Sequence, residues 1–430
     1  VDGLIPAWVA RVAPHERRAV WLAFVCHLVL YASYYILRPV RDTMATVFGA
    51  DQLQNLFVGT FVGTLVFSPV FAMLASRFKV RQLLPGVFWF LILCIVLFAL
   101  LLRARSDDDR WIAGSYYLWF SVINLFIVSV FWSLMVDTFT AAQGTRLFAF
   151  IALGGELGAI LGPVLTRTLV GHLKLEGLLL LAALGFAVVM GLFYGLIREK
   201  ERLRVGSVEG QTTTTDRSLS GNPFDGFLML FRSRYMMTQA AFLLMMTWVN
   251  TVAYVLQTDF IGRAFSAVET RAQAIADIDL VVNVCTAAVL LLGLGQILRR
   301  FGVRAGLMIN SMLMIPAFLA LLVSPTLLMV QLLRIVGRVA QYAIARPSRE
   351  ICFTVVEQES RYRAKNVIDT VVYRLGDLAS VWVQTGVRAA GFGLAGAVGL
   401  GVGASVVWGW VALRLSKQYD ALRAAQARAA

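Results

Sequence analysis

Charge is scarce in this 430-residue chain: only 15% of its residues are charged, against about 25% in a soluble globular protein. That shortage argues against a soluble enzyme. Cysteine is rare too. Cys26, Cys94, Cys285 and Cys352 lie scattered in apolar stretches without C-x-x-C spacing, and there are only three histidines. No disulfide framework or zinc site is visible, and no cofactor is expected. The sequence has no G-x-x-x-x-G-K-[ST] loop, so direct ATP hydrolysis is not expected to drive it. It also lacks H-E-x-x-H and G-x-S-x-G, which removes the common hydrolase signatures.

Hydrophobic residues, at 59%, fill the space. They come in runs of about 20, long enough to cross about 30 Å of hydrocarbon. Twelve spans are expected: 20–38, 55–76, 83–102, 111–136, 147–166 and 177–197, then 235–257, 273–298, 305–321, 326–356, 367–387 and 392–413. The first is too long for a cleaved signal and runs on into charged residues. A net charge of +14 would suggest nucleic acid in a soluble chain. Here Lys and Arg crowd the segments on the amino-terminal side and thin out on the other, so the bias reads as positive-inside and no nucleic acid partner is expected. Both termini then lie in the cytoplasm, in a bacterial cytoplasmic (inner) membrane. The Thr-, Ser- and Gly-rich stretch 206–222 reads as flexible. The expected division is a six-helix bundle over 1–200, a cytoplasmic linker over 201–234, a second six-helix bundle over 235–413 and a cytoplasmic tail over 414–430.

The halves resemble each other. Arg77-Phe78-Lys79-Val80-Arg81 follows the second span, and Arg300-Phe301-Gly302-Val303-Arg304 follows the eighth. Val136-Asp137 leads through Arg146 to Gly155-Glu156-Leu157, and Val356-Glu357 leads through Lys365 to Gly376-Asp377-Leu378. Two matches at nearly one offset point to a parallel repeat. The fold expected is an all-α polytopic membrane protein with 12 transmembrane helices in two pseudo-symmetric six-helix bundles, the architecture of major facilitator transporters.

The basic loops look like a degenerate form of the facilitator loop signature G-x-L-a-D-R-x-G-R-R, with Ser76 and Arg299 where its acidic residue would stand. Tyr35-Ile36-Leu37-Arg38-Pro39-Val40-Arg41-Asp42-Thr43 resembles the first-helix segment of bacterial and plastid-type ATP/ADP translocases. Pro347-Ser348-Arg349-Glu350, Glu357-Gln358-Glu359-Ser360, Lys365, Ile368-Asp369 and Arg374-Leu375-Gly376 are similar to that family's later Pro-Thr-Lys-Glu to Arg-Leu-Gly stretch. The resemblance implies nucleotide transport by an antiporter. Two departures bear on the substrate: Met73 stands where the family has a Lys, and Tyr117 where it has a Glu.

Six arginines fall inside expected helices: Arg38, Arg334, Arg338, Arg346, Arg349 and Arg374. At about 100° per residue, Arg334, Arg338, Arg346 and Arg349 lie at roughly 0°, 40°, 120° and 60°, one face that also holds Gln331 and Tyr342. Four arginines in mid-membrane cost about 10 to 14 kcal/mol, so that face must line a wet cavity, pair with carboxylates, or both. On the first helix His27, Tyr31, Tyr34, Arg38 and Arg41 form a narrow strip, Arg41 being readable also as an interfacial anchor. Asn250, Tyr254 and Gln257 share a face of the seventh span. Lys365, Asp369, Tyr373, Ser380 and Gln384 share one of the eleventh. Asp42, Asp137, Glu350 and Asp369 are the candidate titrating carboxylates.

The expected substrate-binding set is therefore His27, Tyr31, Tyr34, Arg38, Arg41, Asn250, Tyr254, Arg338, Arg346, Arg349, Lys365 and Asp369. The expected gating or ion-pair set is Asp42, Arg77, Arg81, Asp137, Glu156, Arg300, Arg304, Glu350 and Asp377, with Glu156 and Asp377 pairing with the basic loops. The Gly154, Gly158, Gly162 and Pro163 series reads as close helix packing. The function expected is a monomeric secondary transporter of a small anionic substrate in the lipid bilayer, with exchange and proton coupling both open. The alternatives are a non-transporting receptor or scaffold with this fold and a transporter of a non-nucleotide substrate.

Overall fold

A backbone in hydrocarbon has no water to bond, so each apolar run must satisfy its own N–H and C=O groups as a helix. In the computed structural model, which describes residues 12–13, 15–77, 80–104, 109–205, 225–356, 364–365 and 367–429, the runs are helical throughout. Helices α1 (Arg17–Phe48), α2 (Leu53–Arg77), α3 (Val80–Ala104), α4 (Arg110–Thr138) and α5 (Ala141–Val205) form the first series. A short α6 (Asp225–Arg232) precedes α7 (Arg234–Ala264), α8 (Val268–Leu292), α9 (Leu294–Val323), α10 (Leu327–Ala340), α11 (Arg346–Cys352), α12 (Tyr373–Ala389) and α13 (Gly393–Ala429). Among the described residues eight helices are long and apolar enough to cross a membrane.

Several boundaries differ from expectation for identifiable reasons. The fifth and sixth spans are two limbs of α5, broken at Lys174, whose φ of 55° leaves the helical region. In α9 the break is at Gly302, with φ 73°, a value glycine adopts without a Cβ penalty. The tenth span is not one α-helix either. Between α10 and α11 lies a π-helical turn, Gln341–Ala345, in which the Arg346 N–H reaches back to the Gln341 carbonyl. Pro347 accounts for it: proline cannot donate to the carbonyl four residues back and its ring crowds that group, so the turn widens. A second π turn, Ile368–Val372, opens the eleventh span. At the other end α13 runs to Ala429, so the described part of the expected tail continues the last helix.

The chain falls into two compact units: one border lies within the expected linker 201–234, while Phe48–Val62 groups with the second unit and Ala267–Leu280 with the first. The first comprises the described parts of Val1–Val47, Gly63–Ser218 and Ala267–Leu280; the second, those of Phe48–Val62, Leu219–Ser266 and Val281–Ala430. The expected flexible stretch 206–222 lies outside the described residues. Phe88, Phe120, Phe131, Phe186 and Phe193 are fully buried in the core of the first unit. Phe242, Phe318 and Trp408 hold the second. Large apolar side chains such as Leu93, Leu184, Leu291 and Leu292 point outward, as a lipid-facing surface requires.

Helix α5 approaches α1 along its glycines. A Cβ at Gly154 would lie 2.4 Å from the Phe24 carbonyl oxygen, at Gly158 2.3 Å from that of Leu28, and at Gly162 2.7 Å from that of Ala32. Only a residue without a side chain fits at these points. Just ahead of α1, the buried Glu16 accepts from Gln143 Nε2 at 2.8 Å, Arg146 Nη2 at 3.0 Å and the Ala13 N–H at 3.2 Å. Burial pushes its pKa up, but these donors outweigh it and the pKa is lowered overall. A carboxylate depressed in the folded state stabilises above its unfolded pKa and loses that contribution as pH falls through the folded value. Glu16→Gln should therefore cost about 1 kcal/mol near neutral pH and nothing in strong acid. A melting temperature followed against pH checks this: an equal deficit at every pH would refute it.

Candidate functional site

In the second unit the arginine face of α10 meets the polar face of α7. Arg334, 7% exposed, donates from Nε to Gln257 Oε1 at 2.6 Å and from Nη1 to the Asn250 carbonyl at 3.1 Å. Its guanidinium stands 5.5 Å from the Tyr254 ring. Asn250 thus contributes its main chain, while its side chain donates to Met246 O on its own helix. One turn on, Arg338 is buried at 5.9 Å from the Tyr342 ring, and the exposed Arg346 lies 4.9 Å from the same ring. Tyr342 is shared by two guanidiniums.

The π turn aligns them. One extra residue in the turn sets everything after it back by about 100°, which moves Arg346 from roughly 120° to roughly 20°, level with Arg334 and Arg338. Sequence reasoning at a constant pitch missed this. Pro347 was the available signal.

Below the turn the charges are matched. Arg349 bonds to Asp369 at 2.6 Å and to Glu350 at 3.4 Å, and Lys365 binds Glu350. Phe353 lies under both cations, at 5.6 Å from Arg349 and 5.4 Å from Lys365. Arg349, Lys365 and Asp369, expected at the substrate, are engaged with one another and with Glu350. Asp377 likewise departs from the expected partners. Instead of the Arg300 and Arg304 loop it faces Arg374 at 3.6 Å and accepts from Thr251 Oγ1 at 2.7 Å, because Gly376 lets α12 pack directly against α7. Arg300, over Phe301, and Arg304 are exposed. Glu357 to Ser360 lie outside the described residues.

The first unit gathers the strip on α1. Arg38 stands 5.5 Å from the Tyr35 ring, and its Nε is 3.8 Å from Asp279 Oδ2 on α8. Asp279 is 0% exposed. Neither it nor Asp277, which pairs with Arg167 at 3.0 Å, was among the sequence candidates. The signal was present: Ala276-Asp277-Ile278-Asp279 sets two carboxylates inside an apolar span, as anomalous as the arginines. Arg41 holds Asp42 through Nε at 2.9 Å and stacks 5.3 Å from Tyr117 and 6.0 Å from Phe120. The ring of Tyr117, standing where the resembling family has a carboxylate, is a cation's partner here. Tyr34 stacks on Phe120 at 5.4 Å, and Tyr31 lies 4.5 Å from the His27 ring.

His27 itself is packed. It is 3% exposed, stacked on Phe131 at 4.2 Å, and its Nδ1 is bonded to the Ile151 carbonyl at 2.9 Å in space left by Gly155. That environment is a core, not a ligand surface. Glu156, Asp137 and Arg77 are exposed, Glu156 with no ion-pair partner among the described residues; the side chain of Arg81 lies outside them.

No curated protein matches the chain in sequence. Solved structures share its fold at low identity. A bacterial homolog of the human lysosomal transporter Spinster, inward-facing and unoccupied, is 13% identical over 95% of this chain and 97% of its own, with a TM-score of 0.61. A bacterial homologue of the iron transporter ferroportin is 12% identical over 93% and 99%, TM-score 0.67. A point mutant of the nucleoside transporter NupG is 12% identical over 95% and 99%, TM-score 0.59. The sequence pattern of the Major Facilitator Superfamily matches residues 23–337. That match spans well over half of the chain: the chain belongs to the Major Facilitator Superfamily and is an integral membrane transporter rather than an enzyme.

Proposed function

We propose that the protein is a secondary transporter of a small organic anion, moving it by alternating access across a bacterial inner membrane with both termini cytoplasmic. The observation that carries this reading is the layering of guanidiniums on phenol rings in the second unit: Arg334 on Tyr254, and Arg338 and Arg346 both on Tyr342. From Arg334 to Asp377 the sequence carries Arg334, Arg338, Arg346, Arg349, Arg361, Arg363, Lys365 and Arg374 against Glu350, Glu357, Glu359, Asp369 and Asp377. That surplus of cations over carboxylates attracts an anion, and the arginine fork suits phosphate or carboxylate in two-point contact. Rings beside the cations suit a ligand that also has a flat part. Arg38 and Arg41, on Tyr35 and Tyr117, repeat this chemistry in the first unit.

Similarity to ATP/ADP translocases in the Arg38 to Thr43 and Pro347 to Gly376 segments favours a nucleotide among such anions. Met73 and Tyr117 favour one other than ATP or ADP. The test is ligand-dependent stabilisation of the purified protein. A ligand at 100 times its Kd raises stability by about 2.7 kcal/mol. Nucleotides, sugar phosphates or dicarboxylates should raise the melting temperature, and neutral sugars and cations should leave it unchanged. Stabilisation by neutral or cationic solutes alone would reassign the arginines to helix-to-helix ion pairs.

A further inference from the structure

Hydrocarbon fills any concave surface that a membrane protein turns toward it, because a void forfeits dispersion contacts on one side. The second unit has such a surface. Met245 and Trp248 of α7 and Gly396, Gly399, Gly403 and Val407 of α13 line an apolar groove of about 600 Å³. It is deep where α13 carries glycine: a Cβ at Gly399 or Gly403 would meet nothing within 4 Å. At Gly396 it is pinched, since a Cβ there would lie 2.4 Å from Val387 Cγ1 and 2.6 Å from Phe392 Cβ. The groove follows α13 from Phe392 to Val407, about 22 Å at 1.5 Å per residue, which leaves a cross-section of about 27 Å². A helix about 10 Å across needs about three times as much, so an extended chain fits and a neighbouring helix does not.

Away from the pinch the same face of α13 turns polar. At about 100° per residue, Gly399, Val407, Trp410, Arg414 and Lys417 all fall within roughly 40° of Gly403. Arg414 lies 3.7 Å from the Trp410 ring. Arg414 and Lys417 are exposed, and neither has an ion-pair partner among the described residues. Asp420, the one acidic residue of α13, stands roughly 100° off this face.

We infer that the groove binds one acyl chain of a phospholipid whose anionic headgroup rests on Trp410, Arg414 and Lys417. From Arg414 to Gly399 is about 22 Å along the helix, and a single leaflet with its headgroups is roughly half of a bilayer about 40 to 45 Å thick. The lengths match: with the phosphate at Arg414, the end of the chain reaches the narrow part of the groove. Tryptophan is enriched at the headgroup level, and each cation there adds attraction for an anionic lipid. A zwitterionic headgroup brings the same chain but no net charge for the two cations. The assignment is independent of the solute that the transporter carries.

Native mass spectrometry of the full-length protein in detergent, with phosphatidylglycerol or phosphatidylcholine of the same chains added, tests this. The wild type should retain one phosphatidylglycerol, about tenfold or more tightly than phosphatidylcholine. Arg414→Ala should cost about fivefold in phosphatidylglycerol affinity and leave phosphatidylcholine unchanged. Gly403→Leu, whose side chain enters the groove, should lower retention of both lipids by about tenfold or more. Gly191→Leu, at a position of α5 with equally free space, should change neither, and melting temperatures confirm that the variants are folded. A measurement that needs no variant uses phosphatidylcholine bilayers carrying a small fraction of brominated phosphatidylglycerol or brominated phosphatidylcholine. Tryptophan fluorescence should be quenched more by the former, since Trp248 and Trp410 lie along the site. Equal retention and equal quenching by the two lipids, or retention unchanged in Gly403→Leu, would overturn the inference. So would a dimer that Gly403→Leu dissociates, which assigns the groove to a second copy of the chain.

Discussion

Arg338→Ala is expected to weaken anion binding by about two orders of magnitude while leaving the protein folded. The side chain is 3% exposed, and its guanidinium shares the Tyr342 ring with that of Arg346. Losing a charge-assisted contact at such a site costs about 3 kcal/mol, roughly a hundredfold in Kd. Arg338→Lys keeps the charge but not the fork, and should recover part of the loss. Arg349→Ala is a different experiment. Its partner Asp369 is partly exposed and Glu350 stands beside it, so the variant should lower the melting temperature more than the affinity. Isothermal titration alongside thermal unfolding separates the two. Wild-type affinity in Arg338→Ala would remove that residue from the site.

The second large effect is structural. Gly158→Leu should unfold the protein or cut its folded yield sharply, because even the Cβ would sit 2.3 Å from the Leu28 carbonyl oxygen and 2.9 Å from the Ala32 nitrogen. Those are backbone atoms and cannot swing aside. Helix α1 would have to move off α5, at a cost of about 3 kcal/mol. Gly158→Ala should already be harmful. Gly171→Ala, at a position of the same helix with nothing within 4 Å, should be neutral or stabilising by up to about 1 kcal/mol. Equal melting temperatures for the two alanine variants would show that the helices are not in register as described.

What could be read in advance followed the physics of the bilayer. Twelve apolar runs and the glycine spacing Gly154, Gly158, Gly162 are local in sequence, and the helices appear where the runs are. The paired stripes of α7 and α10 were legible because one helical pitch relates Asn250, Tyr254 and Gln257, and another Arg334 and Arg338. Beyond Gln341 the pitch changes, and no reading at constant pitch could place Arg346 correctly. The burial of His27 depends on Phe131 and Gly155, far away in sequence, so the strip groups it with the ligand candidates although a lone histidine is more often a packed helix residue. Asp279 was missed for another reason. Asp277 and Asp279 lie within a span that reads as apolar by average hydropathy, although a buried Asp is as costly as a buried Arg.

The most direct measurement of the central claim is flux. Purified protein in liposomes, given labelled nucleotides, sugar phosphates, dicarboxylates, amino acids and neutral sugars, with and without internal counter-substrate and a pH gradient, reports substrate class and coupling together. The arginines Arg334, Arg338 and Arg346 of the second unit predict uptake of a phosphate- or carboxylate-bearing solute, abolished in Arg338→Ala. Uptake confined to neutral or cationic solutes, or undiminished in that variant, would contradict it.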